Sequence, residues 1–172
     1  GFAPLNGLSV KNSKLALQAC RENGVDDIFI TSWKDDGSES SLFCNLPSLF
    51  ACAEYARGNF DDKAIAQKFG KLFGIAYEDY MTLDLPNICL SGKDGVLNPC
   101  KYMLYSDPFF GFLDCTVAAG GGKKFAATAK KLEKFTDNKE FGYLFRTLAD
   151  LCRAVKIKYD LGVRTREAYA EG

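Results

Sequence analysis

One segment of this 172-residue chain reads as a strand that cannot stand alone, and that limits the fold more than any other feature of the sequence. Within Val25 to Trp33 (VDDIFITSW), the run Ile28-Phe29-Ile30-Thr31 is β-branched and aromatic without apolar/polar alternation, the pattern of a strand buried on both faces. Such a strand needs parallel neighbours beside it and helices above and below. Asn12 to Asn23 precedes it with helical spacing, Asn12 or Ser13 available as N-cap and Gly24 placed to end the helix. Together the two make half of a βαβ unit. The rest of the sequence offers no second strand of that kind.

Beyond the loop 34–40 the apolar residues keep helical spacing. Leu42 to Arg57 predicts a helix ended by Gly58, with Pro47 either kinking it or marking the first turn of its main part. Asp61 and Asp62 should cap a helix over Lys63 to Phe73, and a short helix should follow at Tyr77 to Leu83. The stretch Asp84 to Asp114, with Pro86, Pro99, Pro108 and several glycines, reads as irregular; so long a loop is uncommon unless it packs or works. Two more helices are expected, one near Lys123 to Phe135 and a long one from about Lys139 to Ala170, with Asp137 as its cap. The expected fold is mainly α: a helical bundle-like domain over 41–172, preceded by a helix-strand stub of an α/β domain over 1–40.

Composition narrows the chemistry. The 22 basic residues cancel 22 acidic ones, with no run of four Lys/Arg, which argues against nucleic acid and against a polybasic membrane surface. No apolar run approaches a membrane span and nothing resembles a signal peptide, so the default expectation is a cytoplasmic chain. The absence of histidine removes Ser-His-Asp and Cys-His catalysis and HExxH metal sites. Seven widely spaced cysteines without a CxxC pair fit reduced thiols, with Cys44 and Cys52 on a buried helical face, and Cys100 shows no pattern of reactivity. No cofactor or metal is expected. The only methionines are Met81 and Met103, so the chain reads as a fragment of a longer one.

The one cluster with a chemical pattern is Asp35-Asp36 and Glu39 directly after Trp33, at the carboxyl end of the predicted strand, where parallel α/β folds bind ligands. An aromatic face followed by carboxylates suits a sugar, the ring covering the apolar face of a pyranose while the carboxylates accept from hydroxyls. The plainer alternative is that Asp36 or Ser38 caps the next helix with Gly37 turning the chain. Asp26-Asp27 lies at the strand's amino end, and Asp61-Asp62 and Glu78-Asp79 fall at helix starts, where negative charge complements the dipole. Gly120-Gly121-Gly122-Lys123-Lys124 is not a phosphate loop, because Val117 and Lys124 occupy the positions that need Gly and Ser/Thr; a hinge before a helix is expected. The aromatic segment Tyr102 to Phe110 is either a binding loop or a loop packed on the bundle.

The run Thr31-Ser32-Trp33-Lys34-Asp35-Asp36-Gly37-Ser38-Glu39, followed by Ser41-Leu42-Phe43 and Leu46-Pro47, resembles the last barrel strand of bacterial β-N-acetylhexosaminidases of glycoside hydrolase family 20 that carry a C-terminal helical domain. Asn98-Pro99-Cys100-Lys101-Tyr102 with Leu104-Tyr105 and Asp107-Pro108, and Leu151-Cys152 with Lys156, Leu161-Gly162 and Arg164, are similar to segments of that domain. The resemblance implies that residues 1–40 are the end of a (β/α)8 barrel. It also implies a retaining, substrate-assisted glycosidase acting on N-acetylhexosamine-containing glycans, an exception to the two-carboxylate scheme. Trp33 would form a wall of the sugar pocket, and Asp35, Asp36 and Glu39 would hold hydroxyls. Lys34 departs from the small residue expected there. The family's catalytic Asp-Glu dipeptide occurs nowhere in this sequence, so the chain itself is expected to be inactive, with a stand-alone helical interaction or dimerisation module as the alternative. The orphaned strand is expected to pair with a second copy, to pack aberrantly on the helices or to promote self-association, and a homodimer is the expected partner state.

Overall fold

The computed structural model describes residues 2–33, 39–90, 99–112, 114–117 and 120–172. Its regular structure is helical. Helix α1 spans Asn6–Glu22, α2 Leu46–Ala56 after a 3-10 turn at Leu42–Asn45, and α3 Asp62–Phe73; α4 (Tyr77–Met81) and α5 (Leu85–Ile88) are joined by a 3-10 turn. Helix α6 is Pro99–Tyr105, α7 Gly121–Glu133, α8 Gly142–Lys158 and α9 Leu161–Glu171.

The helices sit where their apolar stripes demand. Helices α7 and α8 form an antiparallel pair whose facing residues Phe125, Ala129, Leu132, Leu144, Phe145, Leu148 and Cys152 are buried. A cluster of edge-to-face rings joins this pair to the preceding helices: Tyr80 packs on Phe69, Phe141 and Phe145 at centroid separations of 5.4, 5.1 and 6.0 Å. A second, smaller core of Leu17, Ala51, Tyr55 and Ile65 holds α1, α2 and α3 together. At its edge Asp62 accepts from Lys14 at 2.6 Å and from the Tyr55 hydroxyl at 2.9 Å, so one carboxylate ties three helices.

Several local expectations are met. Pro47 lies in the first turn of α2, Asp61 caps α3 through Lys63 N and Ala64 N, and α3 ends at Phe73, followed by Gly74 in the left-handed region. Cys44 and Cys52 are buried.

Others are corrected. Helix α1 begins at Asn6 rather than Asn12, because its cap comes from far away in sequence: the Asp84 carboxylate accepts from Asn6 N at 2.9 Å and Gly7 N at 2.7 Å. Residues 25–33 form no strand; with no neighbouring strand to share the ladder, the backbone runs irregularly and Phe29 is 91% exposed. The supposed irregular stretch 84–114 contains α5 and α6. The long C-terminal helix is broken at Tyr159-Asp160, and Asn138 rather than Asp137 organises the start of α8, accepting from Glu140 N and Phe141 N. The break lets α9 turn onto Pro108 and Asp114, where Arg166 bonds Pro108 O and the Asp114 carboxylate. Gly121 is a close-approach point rather than a hinge alone: its Cα faces the ring of Tyr159 with no room for a side chain.

Candidate functional site

A cleft of about 480 Å³ opens where residues 3–5, one polar face of α1, residues 30–33, Glu39-Ser40 and the start of α2 meet. Its lining is mixed: Ser9, Asn12 and Ser13 from α1, Asn45 and Ser48 from the α2 side, and the apolar Ile30, Leu49 and Trp33. Two of the four residues singled out from sequence, Trp33 and Glu39, line this same cleft. Asp35 and Asp36 lie outside the described residues.

Trp33 is 74% exposed, and its indole Nε1 donates to Thr31 Oγ1 at 2.6 Å. The edge of the ring is thereby tied to its own segment while its faces remain open. Asn45 Nδ2 donates to Ser32 Oγ at 3.5 Å, a long contact that relates this segment to the beginning of α2.

Glu39 is held from the other side. The Tyr105 hydroxyl donates to Glu39 Oε1, and Lys101 Nζ stands 3.8 Å from the same oxygen. Both partners come from α6, one helical turn apart, and Lys101 also sits 5.4 Å from the Tyr105 ring centroid. Burial pushes the Glu39 carboxyl up, but the Tyr105 hydrogen bond and the Lys101 charge outweigh it and hold the group below its ordinary value. At neutral pH Glu39 is therefore an ionised acceptor, suited to receiving hydroxyl donors and not to protonating a leaving group. Tyr105 shows the reciprocal effect, its hydroxyl raised by its bond to Glu39.

Sequence reasoning missed α6 as part of this site. The segment 102–110 stood out for its rings, but the helical spacing that brings Lys101 and Tyr105 to one carboxylate was hidden behind Pro99. The same segment divides in two: Met103 is buried beneath α6, whereas Phe109, Phe110 and Phe112 are exposed, the last two stacked at 5.6 Å. Asp61-Asp62 and Glu78-Asp79 occupy helix starts as expected. Among the described residues no group of three or more Cys, Asp or Glu could hold a metal ion, and no helix is long and apolar enough to cross a membrane.

No curated protein matches the chain. Residues 78–172 match the family model described as the Glycoside Hydrolase 20C C-terminal domain. That stretch runs from α4 to α9 and includes the helix that presents Lys101 and Tyr105 to Glu39. The chain thus belongs to the glycoside hydrolase family 20C C-terminal domain family.

Proposed function

We propose that this chain is the C-terminal part of a family 20 glycosidase that removes terminal, non-reducing N-acetylhexosamine from glycans by substrate-assisted retaining hydrolysis. In this reading residues 1–40 are the end of a (β/α)8 catalytic barrel and 41–172 the helical domain. Trp33 covers the apolar face of the sugar, while Asp35, Asp36 and Glu39 accept from its hydroxyls. One observation carries the proposal: a chain of this family holds an open indole face and an ionised carboxylate on the same cleft.

The chemistry sets what the chain lacks. In the substrate-assisted route the 2-acetamido oxygen attacks the anomeric carbon, a Glu protonates the leaving oxygen and the Asp before it orients the acetamide. No Asp-Glu dipeptide occurs here, and Glu39 is ionised where an acid is needed. The 172-residue chain should give no turnover of an aryl N-acetylglucosaminide, while the product of the same reading frame extended upstream should hydrolyse it. In that longer protein Trp33→Ala should raise KM about tenfold, equivalent to ~1.4 kcal/mol of lost ring contact. Turnover by the 172-residue chain alone would overturn the assignment.

A second reading, a self-associating helical module, is favoured by the exposed apolar segment 25–33. It predicts a concentration-dependent dimer in sedimentation that Phe29→Asp abolishes; a monomer at all concentrations would exclude it.

A further inference from the structure

The two sulfur atoms of Cys89 and Cys100 lie 3.8 Å apart. Cys89 follows the end of α5 and is half-buried; Cys100 is the second residue of α6 and is buried. Sulfur–sulfur bonding requires ~2.05 Å, so closing the gap takes under 2 Å of combined side-chain movement. The two residues are eleven apart in sequence, outside the CxxC spacing of redox and zinc motifs, so the pair gave no signal before folding.

We propose that Cys89 and Cys100 form a reversible disulfide, a modification site that ties α5 to α6. The donors around the pair set which sulfur does what. The S–H···S contact with Cys89, in which either sulfur can be the donor, and hydrogen bonds from the backbone at Leu90, Cys89 and Cys100 act on the Cys100 sulfur. Together they hold the Cys100 thiol below its ordinary range against burial, which acts in the opposite direction. Cys89 is raised by the same contact and by burial. The nearby Cys152 thiol is pushed up to about 12 by burial and then by the Cys100 charge, so it stays protonated and outside the exchange.

The oxidant is a small disulfide such as glutathione disulfide. The more accessible Cys89 attacks one of its sulfurs while its proton passes by way of the Cys100 sulfur to the departing glutathione thiolate, forming a mixed disulfide and releasing one glutathione. Cys100, as thiolate, then attacks the Cys89 sulfur and expels the second glutathione. Two protein thiols are oxidised, one glutathione disulfide is reduced to two glutathiones, and the two protein protons end on the released thiolates. Reduction by a dithiol runs the sequence backwards.

The test uses the full 172-residue chain, pre-reduced, incubated in native buffer with glutathione disulfide, quenched in acid, alkylated and digested with trypsin. Cleavage at Lys93 separates the two cysteines, so the bond appears as peptide 72–93 joined to peptide 94–101. The expected result is loss of two of the seven thiols, no retained glutathione, and that one cross-linked pair, all reversed by dithiothreitol. Cys100→Ser should instead accumulate a stable glutathione adduct on Cys89, and Cys89→Ser should leave Cys100 unmodified. Cys89 is only half-buried, so its serine variant keeps the test available even if Cys100→Ser fails to fold. Seven surviving thiols, a lasting adduct on Cys89 in the unaltered chain, or preferential pairing of other cysteines would each overturn the proposal.

Discussion

Gly121 decides how closely α7 approaches the end of α8. A methyl group built on its Cα would fall inside the Tyr159 ring, and one on Gly122 would press on Lys156 O at 3.1 Å. Gly121→Ala should gain roughly 0.5–1 kcal/mol of helix propensity and lose about 1–3 kcal/mol to overpacking, so the clash wins. A urea midpoint that falls without a change in slope would register it. The glycines that resembled part of a phosphate loop are thus residues of contact between helices. Glu39 offers a second test at this scale. Tyr105→Phe removes the hydrogen bond that opposes burial, so the Glu39 carboxyl should titrate higher, as read from its carbon-13 carboxyl shift against pH. An unmoved titration would show that the contact is not made in solution.

Helix starts differ in where their caps come from, and that difference explains much of what the sequence did and did not reveal. Asp61 caps α3 from the adjacent position, accepting from Lys63 N at 2.9 Å and Ala64 N at 3.2 Å. Asp61→Ala should cost about 1 kcal/mol, visible as a lower thermal midpoint. The cap of α1 is Asp84, 78 residues away from Asn6, and no local pattern encodes it. Asp84→Ala should cost more, about 1–3 kcal/mol, because the buried donors of Asn6 and the part-buried N–H of Gly7 lose their acceptor; chemical denaturation of the two variants side by side orders them. The stripes of α3, α7 and α8 were legible because periodicity survives whatever the neighbours are. Helices α5 and α6 were not, since prolines and glycines flank short turns whose stability comes from packing. The Ile28-Phe29-Ile30 run carried strand propensity, but pairing partners make a strand and the described residues supply none. At the site, Trp33 and Glu39 were readable as residue types in a pattern, whereas Tyr105 and Lys101 reach Glu39 across more than sixty residues.

Acid acts on the molecule as a whole through its tied carboxylates. Glu54 is held below its ordinary value by bonds from Lys68 and Asn59, both 2.7 Å long, and Asp62 by its bond from Lys14. Each binds its proton more weakly folded than unfolded, so its contribution is complete above about pH 4–5 and is lost as pH falls through the lowered value. The buried Asp84 carboxyl, raised by desolvation, works against this trend. With Glu39 also held low, three tied carboxylates lose stability on acidification against one that gains, so the urea midpoint should fall below about pH 4.5. The exposed course of residues 25–33 has a different consequence. Helix α1, on the amino-terminal side of that segment, is anchored to the chain beyond it by contacts elsewhere: Asp84 at its start, Leu17 in the core it shares with α2 and α3, and Lys14 on Asp62. A single cut by chymotrypsin at Phe29 or Trp33 should therefore sever the chain without separating the pieces. Two polypeptides should co-elute in native buffer and part only in denaturant, and mixing them after refolding should restore one complex, so that the covalent link there is dispensable for cohesion.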